Sequence, residues 1–431
     1  MPKILIVCPH FPPINGADGF RIRTSLRHYK EFGWEPEVLA VDVKSIEQDW
    51  CDRQLLNTIP NNTLIKRVRA WPFKVTRLFG IGAIGIRAFH AMNKAGQRII
   101  KKSQPDLVFF STTAFPLMGL GPIWKRKFGL PYVIDIHDPW CCDSVLPDAQ
   151  SRRGIKHTAM RFIHKMIESR VALSADGLMA VAPEYIESLH RRYPVLGTRP
   201  SEAIIFGSSV EDLKIARNQG TSKGFIDRTD GMLHGVYVGA FSEGMVFAIK
   251  SLFLAFKLGL RENRSFFERM RFHFIGTSYG TNCEGNGRIK EIAIECGIEE
   301  FVDEEASRQP YFDAVKIQDE ADFLILPGSV VNSFIASKLA GMLMAERPIL
   351  GVCITNNTTI SLLESLTGAL YNNLDLATKE DADLVSNSIR ILLEEISDLD
   401  CGNHLKKAEK MLAPDLTKQQ CDLFNRVISS L

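Results

Sequence analysis

Short apolar runs alternate along this chain with longer stretches in which apolar positions recur every three or four residues. Lys3–Cys8 (KILIVC), Glu35–Val41 (EPEVLAV), Asp106–Ser111 (DLVFFS), Pro131–Ile136 (PYVIDI), Gly177–Ala182 (GLMAVA) and Ala203–Gly207 (AIIFG) read as strands buried on both faces. Between them, Arg21–Gly33, Leu117–Gly129 and Arg161–Ala175 carry helical spacing, and two of these stretches end at glycine. Such alternation predicts a parallel sheet covered by helices. It lapses after Gly207, where the polar, glycine-containing stretch 211–231 reads as a linker. It resumes with His234–Ala240 (HGVYVGA), Arg271–Thr277 (RFHFIGT), Asp322–Gly328 (DFLILPG) and Arg347–Cys353 (RPILGVC), with Met245–Gly259 and Ile335–Glu346 as helices. The expectation is two doubly wound α/β domains, 1–210 and 232–405, with strand ends facing a shared cleft and a helical tail over 406–431.

The length of 431 residues suits two cores better than one. A formal net charge of +2 gives no global reason to expect nucleic acid as a partner. The nine cysteines include no CxxC pair, which points to reduced thiols in a cytoplasmic protein and away from a disulfide framework or a zinc site. The first apolar run is short and ends at prolines, unlike a secretory signal, and no apolar stretch reaches membrane-spanning length.

The chemistry concentrates at strand ends. After the first strand comes Phe11–Arg23, FPPINGADGFRIR, with two glycines that permit close backbone approach. Arg21 is expected in the first turn of the following helix, where amides favour an anion. The plain alternative is a turn built on Pro12–Pro13 and Asn15–Gly16, with Arg21 solvated. In IDIHDPW, Asp135, His137 and Asp138 close an otherwise apolar strand. His137 suits contact with a sugar or acceptor hydroxyl and Asp138 suits orienting or deprotonating it, although Asp138 before Pro139 also fits a helix cap. No further histidine or carboxylate cluster stands nearby to complete a metal site.

Taken in order, these motifs resemble those of group 1 (family 4) glycosyltransferases. The N-terminal half does so through ILIVCPHFPPINGADGFRIR, PDLVFFSTTAFPLMGLGPIWKRKFGLPYVIDIHDPW and SADGLMAVAPEYIESLHRRYP. The C-terminal half does so through GVYVGAFSEGM, FHFIGTSYG, RQPYFDAVKIQDEADFLILPG and SKLAGMLMAERPILGV. The resemblance implies a GT-B architecture and a nucleotide-sugar donor on the C-terminal domain. It further implies a glycan or lipid-linked acceptor on the N-terminal domain, retention at the anomeric carbon, and neither a metal nor a cofactor. Carried onto this sequence, it sets Gly16, Arg21, Gly239 and Lys338 at the donor diphosphate. Gly276, Thr277, Ser333 and Ser337 go to the nucleotide, and His137 with Asp138 to the reacting sugar.

The sequence departs from that pattern where charge matters most. Family members carry an arginine and a lysine after the first C-terminal strand, and Ala240 and Met245 stand there instead. A departing diphosphate develops charge, and fixed cations stabilise it in a metal-free site. Arg21, Lys250 and Lys338 are the candidate replacements. The family's paired glutamates fall near Ser333 and Gly341. Two other readings therefore stand beside a transferase: a catalytically degenerate homologue acting as a partner in polysaccharide synthesis, and a nucleotide-sugar epimerase of the same architecture.

The run Gly80–Gly85 matches GxGxxG, but the stretch before it is basic and broken by proline, unlike the strand a dinucleotide site needs. From Lys66 to Lys102 there are ten Lys or Arg and no Asp or Glu, interleaved with Trp71, Phe73, Leu78 and Phe79. An anionic membrane surface at the inner face and an ordinary solvated helix pair are the two readings of 66–102.

Overall fold

The computed structural model describes residues 1–46, 50–141, 155–219, 224–278, 287–329, 339–354, 369–374, 382–396 and 409–430. The chain divides into one unit of Met1–Gly207 with Ala413–Leu431 and a second of Ser208–Leu412.

In the first unit, β1 (Lys3–Val7), β2 (Glu35–Val41), β3 (Leu64–Val68), β4 (Leu107–Ser111), β5 (Tyr132–Ile136), β6 (Gly177–Ala180) and β7 (Ser201–Ala203) form a parallel sheet in the order β3-β2-β1-β4-β5-β6-β7. Successive residues pack on opposite faces, as a period of two requires. Leu5, Val7, Phe110 and Ile134 join one core, whereas Ile4, Ile6, Phe109 and Val133 join the other. The second unit repeats the plan with β8 (Leu233–Val238), β9 (Met270–Ile275), β10 (Val302–Glu305), β11 (Phe323–Pro327), β12 (Ile349–Ile354) and β13 (Ala369–Leu374) in the order β10-β9-β8-β11-β12-β13. Each sheet reverses its winding once, between β1 and β4 and between β8 and β11, and ligands of such sheets bind beyond the strand ends there.

Three differences from the expected elements bear on function. The helix after β1 spans Ala17–Ser25, so Asp18 occupies its first turn and Arg21 lies one turn further in, facing the core. The run Ala203–Gly207 leaves the sheet after Ala203, because Arg21 takes up the carbonyls of Ile204 and Ile205. The stretch expected as a linker, 211–231, is helical to Asn218, and Tyr311 donates to Asp212 Oδ2 at 2.9 Å.

The tail helix, Ala413–Ser429, completes the first unit. Phe424 packs among Tyr29, Trp34 and Phe109, and Tyr29 Oη donates to Gln420 Oε1 at 2.7 Å. Burying an aromatic side chain of that size contributes about 1.5–3 kcal/mol. GIGAIG at Gly80–Gly85 runs from the end of one short helix into the start of the next and does not follow a strand, so it has no dinucleotide-binding context.

Candidate functional site

The carboxyl ends of β1, β4 and β5 bring seven polar side chains together in the first unit. His10 follows β1, Asp18 opens the next helix, Ser111, Thr112 and Thr113 close β4, and Asp135 and His137 close β5. His10 Nδ1 lies 2.7 Å from Asp18 Oδ2, which also accepts from the Thr113 amide at 3.3 Å and the Thr113 hydroxyl at 3.2 Å. Burial alone raises a carboxyl pKa, but the charge and hydrogen bond of His10, with help from His137, outweigh it and hold Asp18 well below the carboxylate range. Burial likewise works against a charged His10, and Asp18 overcomes it and raises the imidazole above 6.5.

This pair predicts a pH dependence. The His10 contribution to stability is complete below 6.5 and is lost as pH rises through its raised folded value. The Asp18 contribution is present above the ordinary carboxylate value and lost on acidification. Between those limits His10→Asn is expected to cost about 1–3 kcal/mol. Unfolding measured across pH should show the gap narrowing above 6.5, and a constant gap would remove the pair from the account.

Arg21 and Asp135 form the buried floor. Arg21 Nε lies 2.8 Å from Asp135 Oδ2, and its two terminal nitrogens donate to Ile204 O at 2.6 Å and Ile205 O at 3.2 Å. Its guanidinium also covers the Phe206 ring at 5.1 Å. Arg21 is thus no free cation at a diphosphate: its helix begins four residues earlier than expected and turns it inward. Asp135 further accepts from the Ser111 hydroxyl at 2.9 Å and faces His137 Nε2 at 2.6 Å. Burial opposes the Asp135 charge, but Arg21 first and His137 second hold its pKa below 3.8.

His137 is held by one nitrogen. Nε2 meets Asp135 and, at 3.1 Å, Ser111 Oγ, while Nδ1 has no hydrogen-bond partner among the described residues. Phe206 packs edge-on against the ring at 5.1 Å. Asp138 stands just beyond the strand end, where desolvation raises its carboxyl pKa, with His137 opposing and Asp18 reinforcing the shift.

Gly16 is the N-cap of Ala17–Ser25 and makes no side-chain cap. Close approach belongs to Gly19, and the approach is to the chain itself: a Cβ there would stand 2.4 Å from the His10 carbonyl oxygen.

In the second unit the strand-end loops are laced to one another. The Gly239 amide donates to Ile275 O at 2.8 Å, and the Gly276 amide to Glu305 O at 2.7 Å, with Gly276 in the left-handed region at φ +73°. The Thr277 hydroxyl donates to Glu304 Oε1 at 2.6 Å, so it is already engaged within the protein. Met245 is buried, its sulfur 3.8 Å from the Tyr237 hydroxyl, which also donates to Ala240 O. Lys250, in the second turn of the helix Val246–Glu262, is exposed and pairs with Glu295 at 3.4 Å. Lys338, Ser333 and Ser337 lie outside the described residues.

His10, Asp18 and Ser111 were not singled out from the sequence: His10 and Ser111 only adjoin apolar runs, and Asp18 lies ten residues past the first one. Nor was Arg308, whose Cα would lie 3.8 Å from a Cβ at Gly276, at the strand ends of the second unit. Among the described residues no group of three or more His, Cys, Asp or Glu is placed to hold a metal ion.

The N-terminal unit matches the family model of Glycosyltransferase Family 4 over residues 21–200. No curated protein matches the chain in sequence. Among solved structures, sucrose-phosphate synthase from Thermosynechococcus elongatus is 14% identical with a TM-score of 0.65, covering 100% of both chains. HepE of Anabaena, solved with UDP-glucose, is 12% identical with a TM-score of 0.60, again over 100% of both chains. A putative UDP-N-acetylglucosamine 2-epimerase from Listeria monocytogenes is 12% identical with a TM-score of 0.53, covering 97% of this chain and 94% of its own. At these identities the likeness is one of fold. The N-terminal unit thus resembles glycosyltransferase family 4 over residues 21–200, within a chain whose two Rossmann-like domains have the GT-B architecture.

Proposed function

We propose that the protein transfers a sugar from a nucleotide-sugar donor to a hydroxyl of a glycan or lipid-linked acceptor, with retention and without a metal, in cytoplasmic polysaccharide synthesis. The observation that carries this reading is His137: one nitrogen is fixed by Asp135, and the other has no protein partner among the described residues, at the end of β5, one strand from the winding reversal of a domain that matches the family 4 model. With Nε2 engaged by Asp135, Nδ1 is the ring atom left to hydrogen-bond a sugar or acceptor hydroxyl. Asp138 stands one residue beyond to orient that hydroxyl. The helix start after Gly16 favours an anion.

His137→Asn is expected to lower donor turnover about a hundredfold. The measurement is release of nucleoside diphosphate from UDP-, GDP- and ADP-sugars. HepE, solved with UDP-glucose, makes that sugar the first to try. Turnover equal to wild type would overturn the role of His137, and loss of turnover with a chelator would overturn metal independence. A second reading, a degenerate homologue, is favoured by the burial of Met245 where the family has a lysine. It predicts that no nucleotide-sugar raises the melting temperature, whereas a ligand at about 100 times its Kd adds about 2.7 kcal/mol.

A further inference from the structure

We propose that Trp71–Phe79 is a docking surface for an anionic lipid bilayer, independent of the reaction the site performs. Within the first unit the chain leaves β3 at Val68 and forms a one-turn helix, Phe73–Thr76, and a tighter turn, Arg77–Phe79, ending at Gly80 with φ +74°. The base of this projection is fixed. Buried Arg87 donates from Nε to Trp71 O at 2.9 Å and from Nη2 to Ser45 O at 3.0 Å, and its guanidinium covers the Phe73 ring at 5.3 Å. The Trp71 amide donates back to Arg87 O at 3.2 Å, and the Ile81 amide closes the turn on Thr76 O at 3.0 Å.

The tip is apolar and in water. Leu78 is 82% exposed and Phe79 77%, and Trp71 and Val75 are each more than half exposed. Scattered apolar residues on a surface need no explanation, but four large ones within nine residues on an anchored support do. The exposed charges within this stretch and just before it in the chain are of one sign: Lys66, Arg69, Lys74 and Arg77. The helix that follows, Phe89–Ser103, buries Met92, Ala95, Ile99 and Ile100 and exposes Lys94, Arg98, Lys101 and Lys102. No Asp or Glu interrupts the stretch from Lys66 to Lys102.

That charge pattern selects the occupant. A second copy seated on the same face would set cations against cations, and interface cores of protein partners are depleted in lysine. A bilayer with anionic headgroups takes both halves. Phenyl, indole and leucine side chains enter the headgroup boundary while lysine and arginine stems carry their charges to phosphate. Contact of this kind is peripheral, and among the described residues no helix is long and apolar enough to cross a membrane.

The test is flotation of the full chain with vesicles of phosphatidylcholine mixed with phosphatidylglycerol, against vesicles of phosphatidylcholine alone. Wild type should associate with the mixed vesicles at low salt, lose them as salt screens the charges, and ignore the neutral ones. Leu78→Ser with Phe79→Ser should lower partitioning at least tenfold, and Lys74→Gln and Arg77→Gln about fivefold each. These side chains are exposed, so the variants should melt as wild type does, and if one fails to fold, the wild-type lipid and salt comparison decides alone. Absence of flotation with the mixed vesicles would overturn the proposal, as would equal flotation with neutral ones. Lipid-free self-association that Leu78→Ser with Phe79→Ser abolishes would also overturn it, by making a second copy the occupant.

Discussion

Arg21→Met is expected to destabilise the protein by about 3–5 kcal/mol, the cost of leaving a buried charge without its partner. Asp135 is fully inaccessible and Arg21 nearly so, so neither gains from water what it loses when the other is removed. The methionine also abandons the carbonyls of Ile204 and Ile205, which the guanidinium holds beyond the end of β7. Urea unfolding measures the effect, and a loss under about 1 kcal/mol would show that the pair is dispensable. Adding Asp135→Leu to Arg21→Met should recover part of the loss, since it removes the orphaned charge. Because the Asp135 pKa is depressed in the folded state, the stabilisation is present above 3.8 and fades as pH falls through its folded value. The penalty of Arg21→Met should shrink on acidification in step. Any loss of nucleotide-sugar binding in this variant would therefore report on the fold of the first unit before it reported on a diphosphate.

Met245→Lys, which restores a family lysine, is expected to destabilise the second unit by about 3 kcal/mol or more. Met245 is 3% exposed and packs with Tyr237 in an apolar core that includes Phe241, Ala248 and Ile249, where an ammonium would be desolvated. Burial lowers a lysine pKa, so the variant should regain stability as pH rises from its folded value toward the unfolded value of about 10.4. Thermal melting across pH checks both the size and the slope, and a variant as stable as wild type at neutral pH would show that the side chain escapes to solvent. Ala240 is only half-buried, so Ala240→Arg is the substitution that adds a cation there with the fold intact. Tighter nucleotide binding by that variant would show that the loop after β8 faces the phosphates.

The central strands were legible because each is buried on both faces and writes a continuous apolar run, as β1, β4, β5 and β11 do. From those runs the alternation, the two domains and the family resemblance followed. The strands that went unread, β3, β10 and β13, are all sheet edges. β3 reads LIKRV with no residue fully buried, and β10 reads VDEE, so neither writes a continuous apolar run in the chain. The basic segment was legible in charge, but only the packing shows which of its cations turn inward, with Arg87 holding backbone carbonyls and Lys74 left in water. For the site, the sequence determined that Asp135, His137 and Asp138 end an inner strand. It could not decide what Arg21 faces. That depended on where the first helix starts: four residues are about one turn, and a turn carries a side chain from the strand ends into the core. The joining of His10 to Asp18, and of Ser111 and Arg21 to Asp135, spans as many as 114 positions, from Arg21 to Asp135. Linear spacing holds no record of such pairs, because the sheet order that makes β1, β4 and β5 neighbours exists only once the chain has folded.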